Sequence, residues 1–207
     1  MKTKTKKFWI VLLSFALFLS SIAIVVSASM AKSDKNDVQL GKKINVWLIA
    51  GQSNAVGYGE TTNYPDGYSD GDILDAGIPN VLYYGKGDGN NITNFVPVAF
   101  GLGKDAATSG AEIGIATALS KSGEKHVIIK YASGDTQLSA TKVTAENNVS
   151  TWTPPSYVAA NPDITFDGDK IGDLYTGFIS TVKEAVTKLK KEGYTPVVQG
   201  FWWMQGE

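Results

Sequence analysis

Ile44-Asn45-Val46-Trp47-Leu48-Ile49-Ala50 runs without a break into Gly51-Gln52-Ser53-Asn54-Ala55-Val56-Gly57. The first seven residues are apolar at nearly every position, as a strand buried on both faces must be. The glycine and small polar residues that follow predict a tight exit from that strand. The same near-continuous apolar pattern returns in His126-Val127-Ile128-Ile129-Lys130-Tyr131 and in the stretch from Pro196 to Trp203. Helical signals lie between these strands. Ala111 to Lys121 reads as one helix, ended by Ser122-Gly123. The strongest helical period places Leu174, Phe178, Val182, Ala185, Val186 and Leu189 on one face, with Asp173 to cap the start and Gly193 to close the end. Helix alternating with buried strand predicts an α/β protein whose parallel sheet is covered on both faces. Residues 58–100 read as loop with short strands, and 132–172 as irregular chain.

Ligands of such sheets collect beyond the carboxyl ends of the strands. Three segments occupy those ends: Gly51-Gln52-Ser53-Asn54, Ala132-Ser133-Gly134-Asp135-Thr136 and Met204-Gln205-Gly206-Glu207. All are small, polar and glycine-containing, and they are expected to converge on one side of the sheet.

Composition narrows the chemistry. The 207 residues include no Cys and a single His, His126. Thiol nucleophiles, disulfides, thiolate metal sites and any site needing two histidines from this chain are excluded. No metal and no cofactor are expected. At the N-terminus, Lys2, Lys4, Lys6 and Lys7 precede an uncharged apolar run from Phe8 to Val26, with small residues after it. That order predicts an export signal over 1–28, then a polar linker over 29–43. The alternative is an uncleaved membrane anchor, because the run is long enough to cross a bilayer. A secreted or cell-surface location follows in either case, with membrane contact only through an uncleaved N-terminal segment. Without those four lysines the balance is acidic and no basic cluster survives, which argues against a nucleic-acid partner. The oligomeric state is left open.

Ser53 is the residue with chemical promise. A serine on a tight turn after a buried strand can project its hydroxyl into a cleft beside backbone N–H groups, the arrangement of an acyl-transfer nucleophile and its oxyanion donors. It can equally do no more than cap the helix that follows, and spacing leaves both readings open. The stretch is not a GxSxG elbow, a Walker A loop or a GxGxxG fingerprint.

Five ordered blocks add a resemblance. Residues 50–57 (AGQSNAVG) resemble the first block of the sialate O-acetylesterase-like carbohydrate esterases, a branch of the SGNH hydrolases. Gly110-Ala111-Glu112-Ile113-Gly114 is similar to the family's Gly-Pro-Glu block, with Ala111 in the proline place. Residues 130–138 (KYASGDTQL) are similar to the block usually written with Gly-Gly-Thr, with Asp135 replacing the second glycine. Trp152-Thr153-Pro154 is similar to the Trp-Asn-Pro segment, and Trp202-Trp203-Met204-Gln205-Gly206-Glu207 to the Trp-x-Gln-Gly-Glu block. The resemblance spans 44–207. It implies a three-layer α/β/α, flavodoxin-like SGNH hydrolase fold with a mainly parallel sheet, and removal of O-acetyl groups from an acetylated carbohydrate. It makes Ser53 the nucleophile, with Gln205 and Gly110 as oxyanion donors. Gln52, Asn54, Glu112, Gly134, Asp135, Thr136 and Glu207 then become substrate or site support. Asp135 is more simply a turn residue. Trp152 either stacks on a sugar ring or covers the edge of the core, and Trp47 belongs to the core. Trp202 and Trp203 must point to opposite faces of their strand.

One element is missing from this set. A serine hydrolase of this kind needs a histidine to take the serine proton. His126 starts its strand, about 16 Å of chain from the site end at roughly 3.3 Å per residue, so it reads as a surface or edge residue. In the resembling family the base comes from an Asp-x-x-His block after Gln-Gly-Glu. The expectation is that 44–207 form the N-terminal part of the esterase domain, with the fold incomplete on its C-terminal side and little activity of its own. A catalytically inactive carbohydrate-binding or surface protein derived from this fold is the alternative.

Overall fold

The computed structural model describes residues 41–61, 76–89, 91–138, 150–161 and 171–206. The expected export segment, all but the last residues of the linker, and Glu207 lie outside them. Among the described residues no helix is long and apolar enough to cross a membrane.

The elements follow the order β1 (Lys42–Gly51), α1 (Ser53–Val56), β2 (Gly59–Glu60), β3 (Ile78–Gly87), β4 (Ile92–Val98), β5 (Thr108–Ser109), α2 (Ala111–Ser120), β6 (His126–Ala132), α3 (Pro155–Ala160), α4 (Asp173–Lys191) and β7 (Tyr194–Met204). Five strands form a mixed sheet in the order β4-β3-β6-β1-β7, and β2 pairs with β5 apart from it. β3, β6, β1 and β7 run parallel, while β4 returns antiparallel on β3. The sheet is therefore α/β in character but not purely parallel.

β3 and β4 correct the reading of 58–100 as loop with short strands. β3 is ten residues long and sits between β4 and β6, inside the sheet. Its sequence, IPNVLYYGKG, hides it. The pairing with β4 shifts register between Ile78 and Leu82, and Asn80 between them adopts φ 62°. That irregularity breaks the two-residue period by which strands are recognised.

Neighbouring residues of β6 show how the faces are shared. Lys130 reaches Glu112 of α2, whereas the Tyr131 hydroxyl lies against Gly177 of α4. Successive strand side chains point to opposite faces, so α2 and α4 cover opposite sides. On the α2 side Ile49, Val81, Tyr83 and Ile128 pack with Ile113 and Ala116. On the α4 side all six residues of the apolar stripe, Leu174 through Leu189, are buried, and Phe178 stacks on Phe201 with ring centroids 5.5 Å apart. The five larger side chains of that stripe each contribute about 1.5–3 kcal/mol on burial, and Ala185 less. Gly193 closes α4 with φ 84°, as its sequence position suggests. Asp173, in contrast, is the first helical residue and not the cap; Gly172 takes the cap position in the left-handed region. The Asp173 carboxylate accepts from Ser150 Oγ (2.6 Å) and Thr151 N–H (3.2 Å), pinning the chain that enters the helix.

At the carboxyl end of the sheet, Gly87, Ala132, Gly51 and Met204 fall in one row across β3, β6, β1 and β7. Gly51 (φ 144°) and Gly87 (φ 113°) are the strand-ending glycines. A β-carbon at Gly51 would overlap the Met204 carbonyl oxygen, and one at Gly87 the Ala132 carbonyl oxygen. Both positions need glycine for conformation and for space.

Candidate active site

The direction of the loops locates the site. After β1 the chain turns to the α2 face, where Ala55 and Val56 of α1 join the cluster around Ile113. After β6 it turns to the α4 face, where Trp152 meets Tyr131 edge-on at 6.0 Å. β1 and β6 are neighbours whose loops leave toward opposite faces, joined at the start by the Ser133 N–H on the Gly51 carbonyl at 3.1 Å, and the carboxyl ends of two such strands are where this topology places a ligand crevice. Ser53 and Gly134 face each other across it: a β-carbon on Gly134 would lie 4.0 Å from the Ser53 Cα, 3.3 Å from the Tyr58 hydroxyl and 3.8 Å from Asp88 Oδ2.

Ser53 opens α1, a single turn of four residues. Gln52 caps it: its side-chain oxygen accepts both the Ser53 N–H (2.9 Å) and the Ser53 hydroxyl (2.6 Å). The Gln52 N–H in turn donates to the Met204 carbonyl at 2.9 Å, tying the turn to the end of β7. Asn54 is exposed on α1. Across the crevice the Gly134 N–H donates to Asp88 Oδ2 at 2.8 Å, and the Asp88 N–H to the Ala132 carbonyl at 2.8 Å. Asp135 is exposed with φ 51°, the left-handed conformation of a turn residue.

Gln205 donates its side-chain amide to the Thr136 carbonyl at 2.6 Å. Thr136 is 2% exposed; its hydroxyl donates to the Ser133 carbonyl and lies 3.3 Å from Trp152 Nε1, which donates to it. Thr136 thus ties the β6 loop together and gives substrate no surface. Trp152 is 2% exposed and meets Trp203 edge-on at 4.9 Å, which assigns it to the core and not to a sugar platform. Trp203 faces that α4-side group, and Trp202 packs into the α2-side cluster.

Glu112 takes the supporting role of its two expected ones, and Gly110 departs from its expected role. Glu112 is fully buried. Its Oε2 pairs with Lys130 Nζ at 3.0 Å, and its Oε1 accepts the Gly110 N–H at 2.7 Å. That N–H is therefore turned to Glu112 and not to an oxyanion. Lys130 Nζ also donates to the carbonyls of Val56 (2.9 Å) and Leu102 (3.0 Å). Burial pulls the Lys130 ammonium below the usual lysine range, against the upward pull of Glu112. The pair is a strut beneath the site: one end fastens Gly110, the other holds the last residue of the turn that begins with Ser53.

His126 is neither a surface nor an edge residue. It is 4% exposed, on a strand with neighbours on both sides. Trp47 Nε1 donates to its Nδ1 at 3.2 Å, so the proton sits on Nε2, which faces Ser122 Oγ at 2.8 Å. Burial lowers its pKa, opposed by Glu124. It pairs with Asn45 at the opposite end of β1 from Gly51. Six residues at roughly 3.3 Å separate it from the site by about 20 Å.

Sequence reasoning missed Tyr58, Asp88 and Lys130. Asp88 was hidden with β3, whose end it marks. Lys130 carried a usable signal, a charge inside an otherwise apolar strand. Glu207 lies outside the described residues. Among those residues no group of three or more His, Asp or Glu side chains is placed to hold a metal ion.

No protein-family model matches the chain, and no curated protein matches it. Among solved structures it is similar to the crystal structure of NanS, with 18% sequence identity and a TM-score of 0.45. The likeness covers 82% of this chain and 56% of that one.

Proposed function

We propose that this chain carries the nucleophile side of a serine ester hydrolase that removes O-acetyl groups from carbohydrates. The observation that carries the reading is the position of Ser53, at the carboxyl end of a buried parallel strand and on the crevice where neighbouring loops diverge. The family resemblance of the ordered sequence blocks supports the same reading, together with a three-layer, flavodoxin-like SGNH arrangement. Ser53 attacks the ester carbonyl, and the Ser53 N–H and the Gln205 amide exchange their present acceptors, the Gln52 side-chain oxygen and the Thr136 carbonyl, for the oxygen on which charge develops. His126, about 20 Å from Ser53 along the strands, is not the base. Export through the N-terminal segment, with linker 29–43 before the catalytic domain, fits an extracellular carbohydrate substrate.

The inactive alternative has an observation of its own. The Ser53 hydroxyl donates to the Gln52 side-chain oxygen and not to a base. A binding protein derived from this fold retains sugar affinity with no turnover, and loss of the Ser53 hydroxyl leaves that affinity unchanged.

Acetate release from p-nitrophenyl acetate and from acetylated xylo-oligosaccharides, with and without added imidazole as a diffusible base, separates the two. The esterase reading expects slow release by the chain alone, a rise with imidazole, and loss of that rise in Ser53→Ala. Identical rates for wild type and Ser53→Ala under every condition would overturn it.

A further inference from the structure

Asp88 is exposed, yet the chain on both sides of it is fixed. Gly87 (φ 113°) and Gly89 (φ 92°) flank it, both in the region that favours glycine. A β-carbon at Gly87 would overlap the Ala132 carbonyl oxygen, and one at Gly89 the Gly103 carbonyl oxygen. Gly103 is packed in turn on Gly57: its own β-carbon would overlap the Gly57 carbonyl oxygen, and the Lys104 N–H donates to that same oxygen at 2.9 Å. Gly57 closes α1, the turn that Ser53 opens. Asp88 and Ser53 therefore stand on one backbone frame, although β6 lies between the strands they follow.

From that frame Asp88 grips the β6 loop at two points. Its N–H donates to the Ala132 carbonyl, and its Oδ2 accepts the Gly134 N–H, each at 2.8 Å. Between those residues the Ser133 N–H donates to the Gly51 carbonyl at 3.1 Å. The two backbone bonds continue the parallel ladder one step on either side of β6. The paired register ends at Ala132, and Asp135 at φ 51° turns the chain toward the α4 face. The Asp88 carboxylate holds the residue just before that turn, and this residue, Gly134, is the one that faces the Ser53 Cα across the crevice. A carboxylate is a stronger acceptor than a neutral oxygen. A short side chain set between two fixed glycines also gives up little freedom in making the bond.

We infer that Asp88 is a positioning residue for the reaction at Ser53. It acts through Gly134, whose backbone it holds as the facing wall of the crevice, and it does so as a hydrogen-bond acceptor and not as a charge. This role rests on the proposed ester hydrolysis at Ser53. The bond is exposed, so its loss moves the wall while the core stays intact. A displacement of about 1 Å near reacting groups can cost about 100-fold in rate.

Asp88→Ala and Asp88→Asn are compared with wild type in the full chain. Thermal midpoints read by circular dichroism should stay within about 4 °C of wild type, as one exposed hydrogen bond predicts. Amide exchange at Gly134, followed by NMR, should accelerate about tenfold in Asp88→Ala and stay near wild type in Asp88→Asn, whose amide oxygen still accepts. Ser53-dependent, imidazole-assisted acetate release from p-nitrophenyl acetate should fall about tenfold in Asp88→Ala and recover to within about threefold of wild type in Asp88→Asn. Unchanged exchange at Gly134 in Asp88→Ala, or Ser53-dependent release that stays within about twofold of wild type in that variant, would overturn the inference and leave hydrolysis at Ser53 standing. Equal loss of rate in both variants would do the same, since it marks the charge and not the acceptor. A midpoint drop beyond about 4 °C in Asp88→Ala would also overturn it, by making Asp88 a residue of the fold. Release that is the same in wild type and Ser53→Ala would overturn both the positioning role and the hydrolysis on which it rests.

Discussion

Replacing Glu112 by Gln keeps the size of the side chain and removes its charge. Lys130 is then left inside the protein with the Val56 and Leu102 carbonyls but no counter-charge. Removing one partner of a buried ion pair costs about 3–5 kcal/mol, because the surviving charge stays desolvated. The Gly110 N–H still finds an amide oxygen in Glu112→Gln. In Glu112→Ala it does not, which adds about 1–3 kcal/mol for the orphaned donor. These losses are a large share of the roughly 5–15 kcal/mol that stabilises a typical domain. With a urea m-value of about 2 kcal/mol/M, Glu112→Gln should lower the unfolding midpoint by about 1.5–2.5 M, read by circular dichroism. The double variant Glu112→Leu/Lys130→Met should regain most of the loss, since it leaves no buried charge. A midpoint drop below about 0.5 M in Glu112→Gln, or a double variant no more stable than the single ones, would refute the claim that this pair is a buried strut.

Three further outcomes follow from the same structure. His126 is held neutral in the folded protein, with its pKa below the ordinary 6.5; the unfolded chain binds more protons just below that value, so stability should fall as pH drops through it. Thermal midpoints measured from pH 7.5 to 5.5 should show that slope in wild type and a flatter one in His126→Gln. Gln52→Ala uncaps the Ser53 N–H, and hydrogen exchange should accelerate about tenfold there while Ala55 and Val56, which donate to the Gln52 backbone carbonyl, stay protected; equal rates at Ser53 would remove the capping role. Asp135→Gly should leave stability within about 0.5 kcal/mol by thermal denaturation, because glycine takes φ 51° without strain; a loss above about 1 kcal/mol would show that the carboxylate itself holds the loop.

The sequence pattern located β1, β6 and β7 as near-continuous apolar runs, α2 by its apolar stretch ended by Ser122-Gly123, and α4 by its buried stripe. β3 escaped because Pro79, the left-handed Asn80 and two glycines interrupt its pattern, although its pairing with β6 is unbroken from Val81 to Gly87. The convergence of the Ser53 and Gly134 loops could be read ahead of the structure, since strand ends in a parallel sheet point the same way. What individual polar groups do there could not. Glu112 could be structural or substrate-orienting until its burial was known, and the Gly110 N–H looked available until that carboxylate took it. The Gly110 contact is local, two residues along the chain, but the burial that drives Glu112 inward depends on Lys130, 18 residues away, and no local pattern records that.

The paired glycines at Gly51 and Gly87 bear on how this surface can change over time. Each admits a neighbouring strand's carbonyl where any side chain would collide, so the floor of the crevice is bare backbone, fixed in shape and closed to substitution. Tyr58, Asp88, Asp135 and Met204 stand above that floor, exposed and anchored in loops or at a strand tip. Change at this end of the sheet is therefore channelled to those four positions. A library randomised there should keep folded members in large numbers, while one randomised at the two glycines should lose nearly all of them. The scaffold divides its own mutational freedom between a floor that cannot drift and walls that can.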